Sequence, residues 1–196
     1  MPSTLQVDKI IDGSATTNKE LAEYASGNWS WGSGVPANTI INVTSLTRTS
    51  TDSNTTSTPQ EITGLTHTIS NPKSGSKFLL TGVINLSWDS GSTKAGFFIT
   101  RTDADGEVTI ALGDQYGASR LRLTNYFYIN ETNYSPIPLA FNFLDSPNTS
   151  SSVVYKFKFS NMDSSGTVYV NQSETWTNAT NYATPISTTT IFEVAQ

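Results

Sequence analysis

Short strand-like segments separated by turn residues fill the chain from residue 40 onward, and this pattern limits the possible folds more than any other feature. Residues 77–88 (KFLLTGVINLSW) are the most apolar segment, which suits a central strand. In residues 152–159 apolar and polar side chains alternate with a period of two, as in a half-buried strand. Asp105-Gly106, between residues 95–102 and 107–112, is a strong hairpin signal.

The full set of segments predicts an antiparallel β-sandwich. The segments are residues 40–47, 61–69, 77–88, 95–102, 107–112, 120–129, 138–144, 152–159, 167–171 and 189–194. Even spacing with turn signals is typical of sandwiches and barrels, and no helix-length pattern suggests a parallel sheet. Charged residues make up only 14% of the chain, and Ser, Thr and Asn replace them. We predict an all-β fold, jelly-roll-like, of roughly ten strands.

The first 39 residues differ from the rest and predict a short extended arm. Leu5, Val7, Ile10 and Ile11 form a small apolar run, and residues 18–24 are the best helix candidate in the chain. Glycines interrupt the segment soon afterwards. A segment with so few apolar residues cannot fold alone. We therefore expect the arm to dock on another protein through that apolar run. The predicted domains are an attachment arm with a Gly-rich hinge (1–39) and a knob (40–196).

Charge and composition exclude several classes of partner. The net charge is −5 and no cluster of Lys or Arg occurs, so we expect no nucleic-acid partner. No apolar stretch approaches the about 20 residues that span a bilayer, so we expect no membrane insertion. The first residues lack a signal-peptide pattern, so we expect no export by the general secretory pathway. Cysteine is absent, which excludes disulfides and thiolate metal sites.

The residues that usually carry catalysis are scarce. His67 is the single histidine and shares a predicted strand face with Leu65 and Ile69, so we interpret it as a hydrogen-bonded strand histidine. Asp103 and Asp105 lie in a predicted turn, where Asp is favoured by the backbone. They match only a fragment of a calcium loop. We therefore expect no enzymatic activity, no metal and no cofactor.

Aromatic side chains among many amides and hydroxyls are typical of sugar-binding surfaces, because they combine flat apolar faces with hydrogen-bonding groups. The loop residues Tyr134, Trp176 and Tyr182 are the favoured glycan-binding candidates, because loops on rigid β scaffolds carry function. Further aromatic residues lie in predicted strands and are more often core or interface residues; they are Trp88, Tyr126 and Tyr128.

Several motifs resemble phage virion proteins, especially those of cyanophages and other marine phages. Residues 3–10 (STLQVDKI) are similar to the opening of many predicted tail-fibre proteins. Other segments of this chain are similar to the terminal domain that often follows this opening in such proteins; they are residues 63–72, 74–80, 113–114, 119–120, 143–147 and 167–171. We interpret 113–114 and 143–147 as turn and strand-end structure. The resemblance implies a homotrimeric appendage, attached by its N-terminus, and supplies no ligand residues.

The resulting prediction is a phage virion structural protein, either a tail fibre or another receptor-binding appendage. Its partners would be other virion proteins of the tail or capsid, and host-surface glycan. One alternative is a capsid decoration or head fibre protein. A glycan depolymerase is disfavoured by the absence of a recognisable acid pair, and a cellular lectin by the absence of a signal peptide.

Overall fold

The computed structural model describes residues 9–12, 19–25, 28–31, 34–89, 92–130, 135–163, 165–173 and 184–196, with side chains from Gly34 onward except at 92–93 and 129–130. These residues form fifteen β-strands and no helix. The strands are β1 (Lys9–Asp12), β2 (Lys19–Ala25), β3 (Asn28–Trp31), β4 (Ile40–Arg48), β5 (Asp52–Asn54), β6 (Gln60–Glu61), β7 (His67–Ile69), β8 (Lys77–Trp88), β9 (Ser92–Asp103), β10 (Gly106–Ile110), β11 (Asn125–Asn130), β12 (Ile137–Asp145), β13 (Val153–Asn161), β14 (Val168–Val170) and β15 (Ser187–Val194). Within the described ranges, no helix could therefore span a membrane.

The N-terminal strands form an antiparallel three-stranded sheet in the order β1-β2-β3. Glu23 of β2 pairs with Lys9 of β1 and with Ser30 of β3. The predicted helix at residues 18–24 is therefore wrong. Seven residues are too few for a stable isolated helix, and in β2 their backbone groups bond to strands on both sides instead. Over these ranges the predicted extended arm consists of strands.

Twelve strands form two antiparallel sheets, which confirms the predicted sandwich. The β9 sheet has the order β10-β9-β13-β6, with β11 also paired to β9 and β7 to β13. The β8 sheet has the order β4-β15-β8-β14-β5, with β12 also paired to β8. The additional strands β5 and β6 are only three and two residues long. Segments this short have too few residues to show a period-two pattern.

The inner faces of the two sheets enclose one core. Alternate residues of β13 are fully buried, including Tyr155, Phe157 and Phe159. They pack in one cluster with residues of β8 such as Phe78 and Leu80. This period-two burial is what the sequence alternation predicted. The division of the chain at residues 39 and 40 stays a prediction, and Val35 is already buried against Ile41 and Ala195.

Two buried polar groups link the sheets. Asp145, at the end of β12, accepts hydrogen bonds from Arg101 of β9 at 2.9 Å and from the Tyr155 hydroxyl at 2.8 Å. His67 in β7 is hydrogen-bonded to the hydroxyls of Thr44 and Thr189 in the β8 sheet, both at 2.8 Å. Burial lowers the pKa of His67 to about 4. The interpretation of His67 as a hydrogen-bonded strand residue is confirmed.

Two predicted strands are shorter than expected. Residues 61–69 are interrupted by a turn at Gly64, whose φ of 82° favours glycine, so that β6 and β7 are separate. Residues 120–129 form a strand only from Asn125 onward, and residues 120–124 belong to a loop. This second difference matters for function, because the loop forms one wall of the site described next.

Candidate functional site

The predicted site residues fall into four groups. The favoured candidates Tyr134, Trp176 and Tyr182 lie outside the described residues, as do Leu5 and Val7 of the predicted anchor. Ile10 and Ile11 lie in β1.

Among the strand aromatics, Trp88 is fully buried against Phe127, with ring centres 5.3 Å apart, and is a core residue. Tyr126 and Tyr128 of β11 are exposed on the outer face of the β9 sheet.

A loop of residues 111–124 connects β10 to β11 and folds over this outer face. It starts at Ala111, which has a positive φ of 54°, and ends where the Thr124 amide donates to the Phe97 carbonyl of β9 at 3.2 Å. Inside the loop, the Arg122 Nε donates to the Gly113 carbonyl at 2.6 Å. The Gln115 side-chain amide donates to the Arg120 carbonyl at 3.2 Å. These bonds join the two halves of the loop.

Gly96 of β9 allows the loop to lie close to the sheet. It pairs with Tyr126 of β11, and the side chain of Leu123 covers it from the loop. A Cβ atom at this position would lie 3.2 Å from Tyr126 Cβ, 3.2 Å from Leu123 Cδ1 and 3.1 Å from the Asn125 carbonyl oxygen. A larger residue would therefore push the loop and Tyr126 away from β9.

An open cleft of about 510 Å³, here called the loop cleft, lies between the loop and the β9 sheet. Its lining combines tyrosine faces, charged groups and apolar side chains; the residues are Gly113, Asp114, Tyr116, Arg120, Leu121, Arg122, Leu123, Tyr126 and Met162. Tyr116 is 72% exposed, Leu121 63% and Tyr126 57%. Large apolar side chains this exposed, gathered in one place, are a feature of interaction sites.

Charged side chains line the cleft, and a further pair of charged side chains lies next to it. Arg120 and Asp114 both line the cleft, and the Arg120 guanidinium lies 4.7 Å from the centre of the Tyr116 ring, within the range of a cation–π contact. Next to the cleft, the Lys94 ammonium lies 5.5 Å from the Tyr128 ring centre and forms an ion pair with Asp163 at 2.9 Å. The cleft thus offers donors, an acceptor and flat rings.

Such an arrangement can bind a sugar. Tyrosine rings present rigid flat faces, while arginine donors and the Asp114 carboxylate can bond to hydroxyl groups. Within the described part of the chain, no group of three or more His, Asp or Glu side chains is placed to hold a metal ion.

The sequence did not predict most of this site. The sequence predicts turn structure at residues 113–114; they lie in a loop, and Asp114 also lines the cleft. It predicts a strand at Arg120 and Leu121, because Leu121 and Leu123 alternate as strand residues do. Asp145, in the predicted strand-end segment 143–147, is buried in an ion pair with Arg101. The sequence does contain one signal for the site. Tyr126 and Tyr128 flank Phe127, so if Phe127 faces the core of a sandwich, the two tyrosines face outward.

No protein-family model and no curated protein matches the chain. Among solved structures, it is similar to a chain of the infectious bursal disease virus Gx strain, with 12% identity over 94% of this chain and 48% of that one and a TM-score of 0.33. It is also similar to the infectious bursal disease virus VP2 subviral particle, with 12% identity over 100% of this chain and 50% of that one and a TM-score of 0.31. The chain spans about half the length of both. TM-scores this low carry no argument about fold or function.

Proposed function

We propose that this protein is a virion structural protein whose β-sandwich binds a cell-surface glycan at the loop cleft, with no chemical step. The observation that carries the proposal is the exposure of Tyr116 and Tyr126 at one open cleft that also contains Asp114 and Arg120. Tyrosine gives a large contact area at a low cost in side-chain entropy, because its ring moves about only two torsion angles.

Glycan is the ligand class that suits this lining best. The apolar C–H face of a sugar ring can pack on a tyrosine, while its hydroxyls bond to the charged groups at the edge. Hydrolysis of a glycan usually needs two carboxyl groups about 5–9.5 Å apart. Among the described residues of the cleft, Asp114 is the one carboxylate. The lining therefore favours adhesion over depolymerase activity.

The assignment to a virion rests on the sequence resemblance, above all on residues 3–10 and on the segments of the knob. Within that class we propose a phage tail fibre or receptor-binding appendage, and a capsid decoration or head fibre protein is the alternative. Antibody labelling of intact particles distinguishes the two. Labelling of tails alone fits the appendage, whereas labelling of heads alone would replace it with the alternative.

Attachment to the particle is assigned to the N-terminal segment with Leu5, Val7, Ile10 and Ile11. Deletion of residues 1–33 leaves Val35 in its contact with Ile41 and Ala195, so we expect the truncated protein to keep its β signal in circular dichroism. The same protein should no longer incorporate into particles in a complementation assay. Normal incorporation would place the anchor elsewhere.

A homotrimer is part of the proposal, and one surface suits contact between copies. On the outer face of the β8 sheet, Val43, Phe192, Leu79 and Leu144 are opposed in register on four neighbouring strands. We call these four residues the apolar row. Val43 and Leu144 are each 51% exposed. Contiguous exposed apolar residues of this kind mark contact surfaces.

Charge distribution favours another copy of this chain as the partner of the apolar row. On one side, the next row of side chains on the same face is uncharged and consists of Ser45, Thr190, Thr81 and Asn142. On the other side lies Lys77 of β8, opposite Val194 of β15, which is basic rather than acidic. The outer face of the β9 sheet instead carries ion pairs, such as Lys156 with Glu61 at 2.9 Å. With a net charge of −5, copies repel one another least where acidic groups are absent.

Glycan binding is tested with the full chain on an array of purified bacterial polysaccharides. We expect binding by the wild type and about a tenfold loss for Tyr126→Ala, since stacking on an aromatic ring contributes about 0.5–1.5 kcal/mol in addition to the area it buries. Val108→Ala is the matched control, because Val108 is also exposed but lies on β10 outside the cleft. Equal binding by both variants would remove the loop cleft as the site.

A further inference from the structure

Within the part of the chain that the structure describes, the two arginines of the loop cleft form no ion pair, unlike Arg48 and Arg101. Arg48 forms an ion pair with Asp52 at 3.0 Å, and Arg101 forms ion pairs with Asp103 and Asp145, both at 2.9 Å. Among the described residues, no ion pair involves Arg120 or Arg122. Both arginines are exposed and line the cleft.

The two guanidinium groups are held in position by the protein without being neutralised. Arg120 lies over the Tyr116 ring, and such stacking leaves the N–H groups at the edge of the guanidinium available. Arg122 uses its Nε–H on the Gly113 carbonyl at 2.6 Å, which keeps it beside the cleft. Ordering these side chains in advance lowers the entropy cost of binding a ligand.

The cleft is therefore locally positive on an acidic protein. Its lining has two arginines against one aspartate, Asp114, whereas the whole chain carries −5. Guanidinium groups bind carboxylate, sulfate and phosphate oxygens through parallel, charge-assisted hydrogen bonds. Beside them, Tyr126 offers a flat face to the ring of a sugar.

We infer that the ligand of the loop cleft is an anionic glycan, whose acidic group is bound by Arg120 and Arg122 while its sugar ring packs on Tyr126. This inference rests on the proposed glycan-binding function and specifies its ligand class. Asp114 then accepts hydrogen bonds from sugar hydroxyls. The acidic group is a carboxylate or a sulfate ester, since both present oxygens to a guanidinium in the same way.

Calorimetric titration of the full chain with three polysaccharides tests the inference. Polygalacturonate carries carboxylates, dextran sulfate carries sulfate esters, and dextran is neutral. We expect binding of at least one anionic polymer and at least tenfold weaker binding of dextran, because hydrogen bonds to charged groups contribute about 1.5–3 kcal/mol. Stronger binding of one anionic polymer than of the other identifies the acidic group. Binding should weaken when NaCl is raised from 50 to about 500 mM, since salt screens exposed charges.

Variants separate a specific site from general attraction to a polyanion. Arg120→Gln should weaken binding of the anionic polymer about tenfold, and Arg120→Lys, which keeps the charge but not the planar fork, should fall between this variant and the wild type. Lys77→Gln is the matched control: it removes the same charge from a strand of the β8 sheet. Equal losses for Arg120→Gln and Lys77→Gln would show attraction without a site and would overturn the inference.

Failure of the inference is distinguishable from failure of the proposed function. If dextran binds as tightly as the anionic polymers, and Tyr126→Ala but not Arg120→Gln weakens it, the glycan site stands and the inference falls. If none of the three polymers binds, and none binds on the polysaccharide array, both fall. Both arginines are exposed, so folding of their variants is not at risk, and thermal melting confirms it.

Discussion

The Arg120 guanidinium stacks over the Tyr116 ring at 4.7 Å, and both side chains belong to the same loop. Each residue holds the other in place, although Tyr116 is 72% exposed and contributes little to the core. A contact of this kind orders a binding surface more than it stabilises a fold. Removing this contact should therefore weaken ligand binding and leave the free energy of unfolding almost unchanged.

Tyr116→Ala is expected to weaken polysaccharide binding while changing the free energy of unfolding by less than about 0.5 kcal/mol, as for other exposed side chains. Tyr116→Phe keeps the ring under Arg120 and should retain binding. Urea unfolding and the polysaccharide array measure the two quantities. A large loss of stability in the alanine variant would mean that the loop is a structural element rather than a binding element.

The buried carboxylate of Asp145 should be critical for stability. It bonds to Arg101 of β9 and to the Tyr155 hydroxyl of β13, so it joins the two sheets. Asp145→Ala leaves Arg101 with Asp103 as its remaining ion-pair partner among the described residues and removes the acceptor of the Tyr155 hydroxyl, which should cost about 3 kcal/mol. Urea unfolding measures the cost. Asp105→Ala, at an exposed turn position, is the matched control and should change stability little.

Stability should fall as the pH falls from about 6.5 to about 4, because of His67. Burial lowers its pKa in the folded protein to about 4, whereas the unfolded chain titrates near 6.5. Between these values the unfolded state binds more protons, so acid favours unfolding. The loss is at most about 3 kcal/mol, because one pKa unit corresponds to about 1.4 kcal/mol.

His67→Gln removes this titration and should flatten the stability curve between pH 6.5 and 4.5. Below that range the carboxylates also contribute. Hydrogen bonds from Lys158 and Thr100 lower the pKa of Glu107, so the stability it provides is lost in stronger acid. Chemical denaturation of the wild type and of His67→Gln at a series of pH values measures the two curves. An unchanged slope in His67→Gln would assign the pH dependence to other groups.

Local sequence pattern explains why the sandwich was predictable and the cleft was not. The alternation in β13 follows directly from burial of every second side chain, including Tyr155 and Phe157. The loop cleft instead depends on distant parts of the chain lying side by side, such as Met162 and the loop of residues 111–124, which line it together. Leu121 and Leu123 alternate as the residues of a strand do. In the loop, however, Leu123 covers Gly96 while Leu121 remains exposed. Sequence pattern alone does not distinguish such a loop from a strand.

Gly82 in the middle of β8 should tolerate no side chain. A Cβ atom there would lie 2.2 Å from the Thr188 carbonyl oxygen and 2.9 Å from the Phe141 ring. The backbone would have to move, and overpacking of this kind costs about 1–3 kcal/mol or more. Gly82→Ala should lower the melting temperature clearly. Gly113→Ala, which meets nothing within 4 Å, is the control, and equal melting temperatures would contradict the packing of β15 and β12 on β8.

Association between copies should depend on the apolar row. Leu144→Lys and Val43→Lys each place a charge where exposed apolar groups would be buried against another copy, and an unpaired charge in an interface is costly. Both variants should stay folded, since each side chain is 51% exposed. In analytical ultracentrifugation we expect trimers for the wild type and monomers for both variants. Val108→Lys, at an exposed apolar position of β10 in the other sheet, should remain trimeric. If Val108→Lys dissociates while the variants of the row remain trimeric, the contact between copies lies on the β9 sheet, and the apolar row is not the surface that joins them.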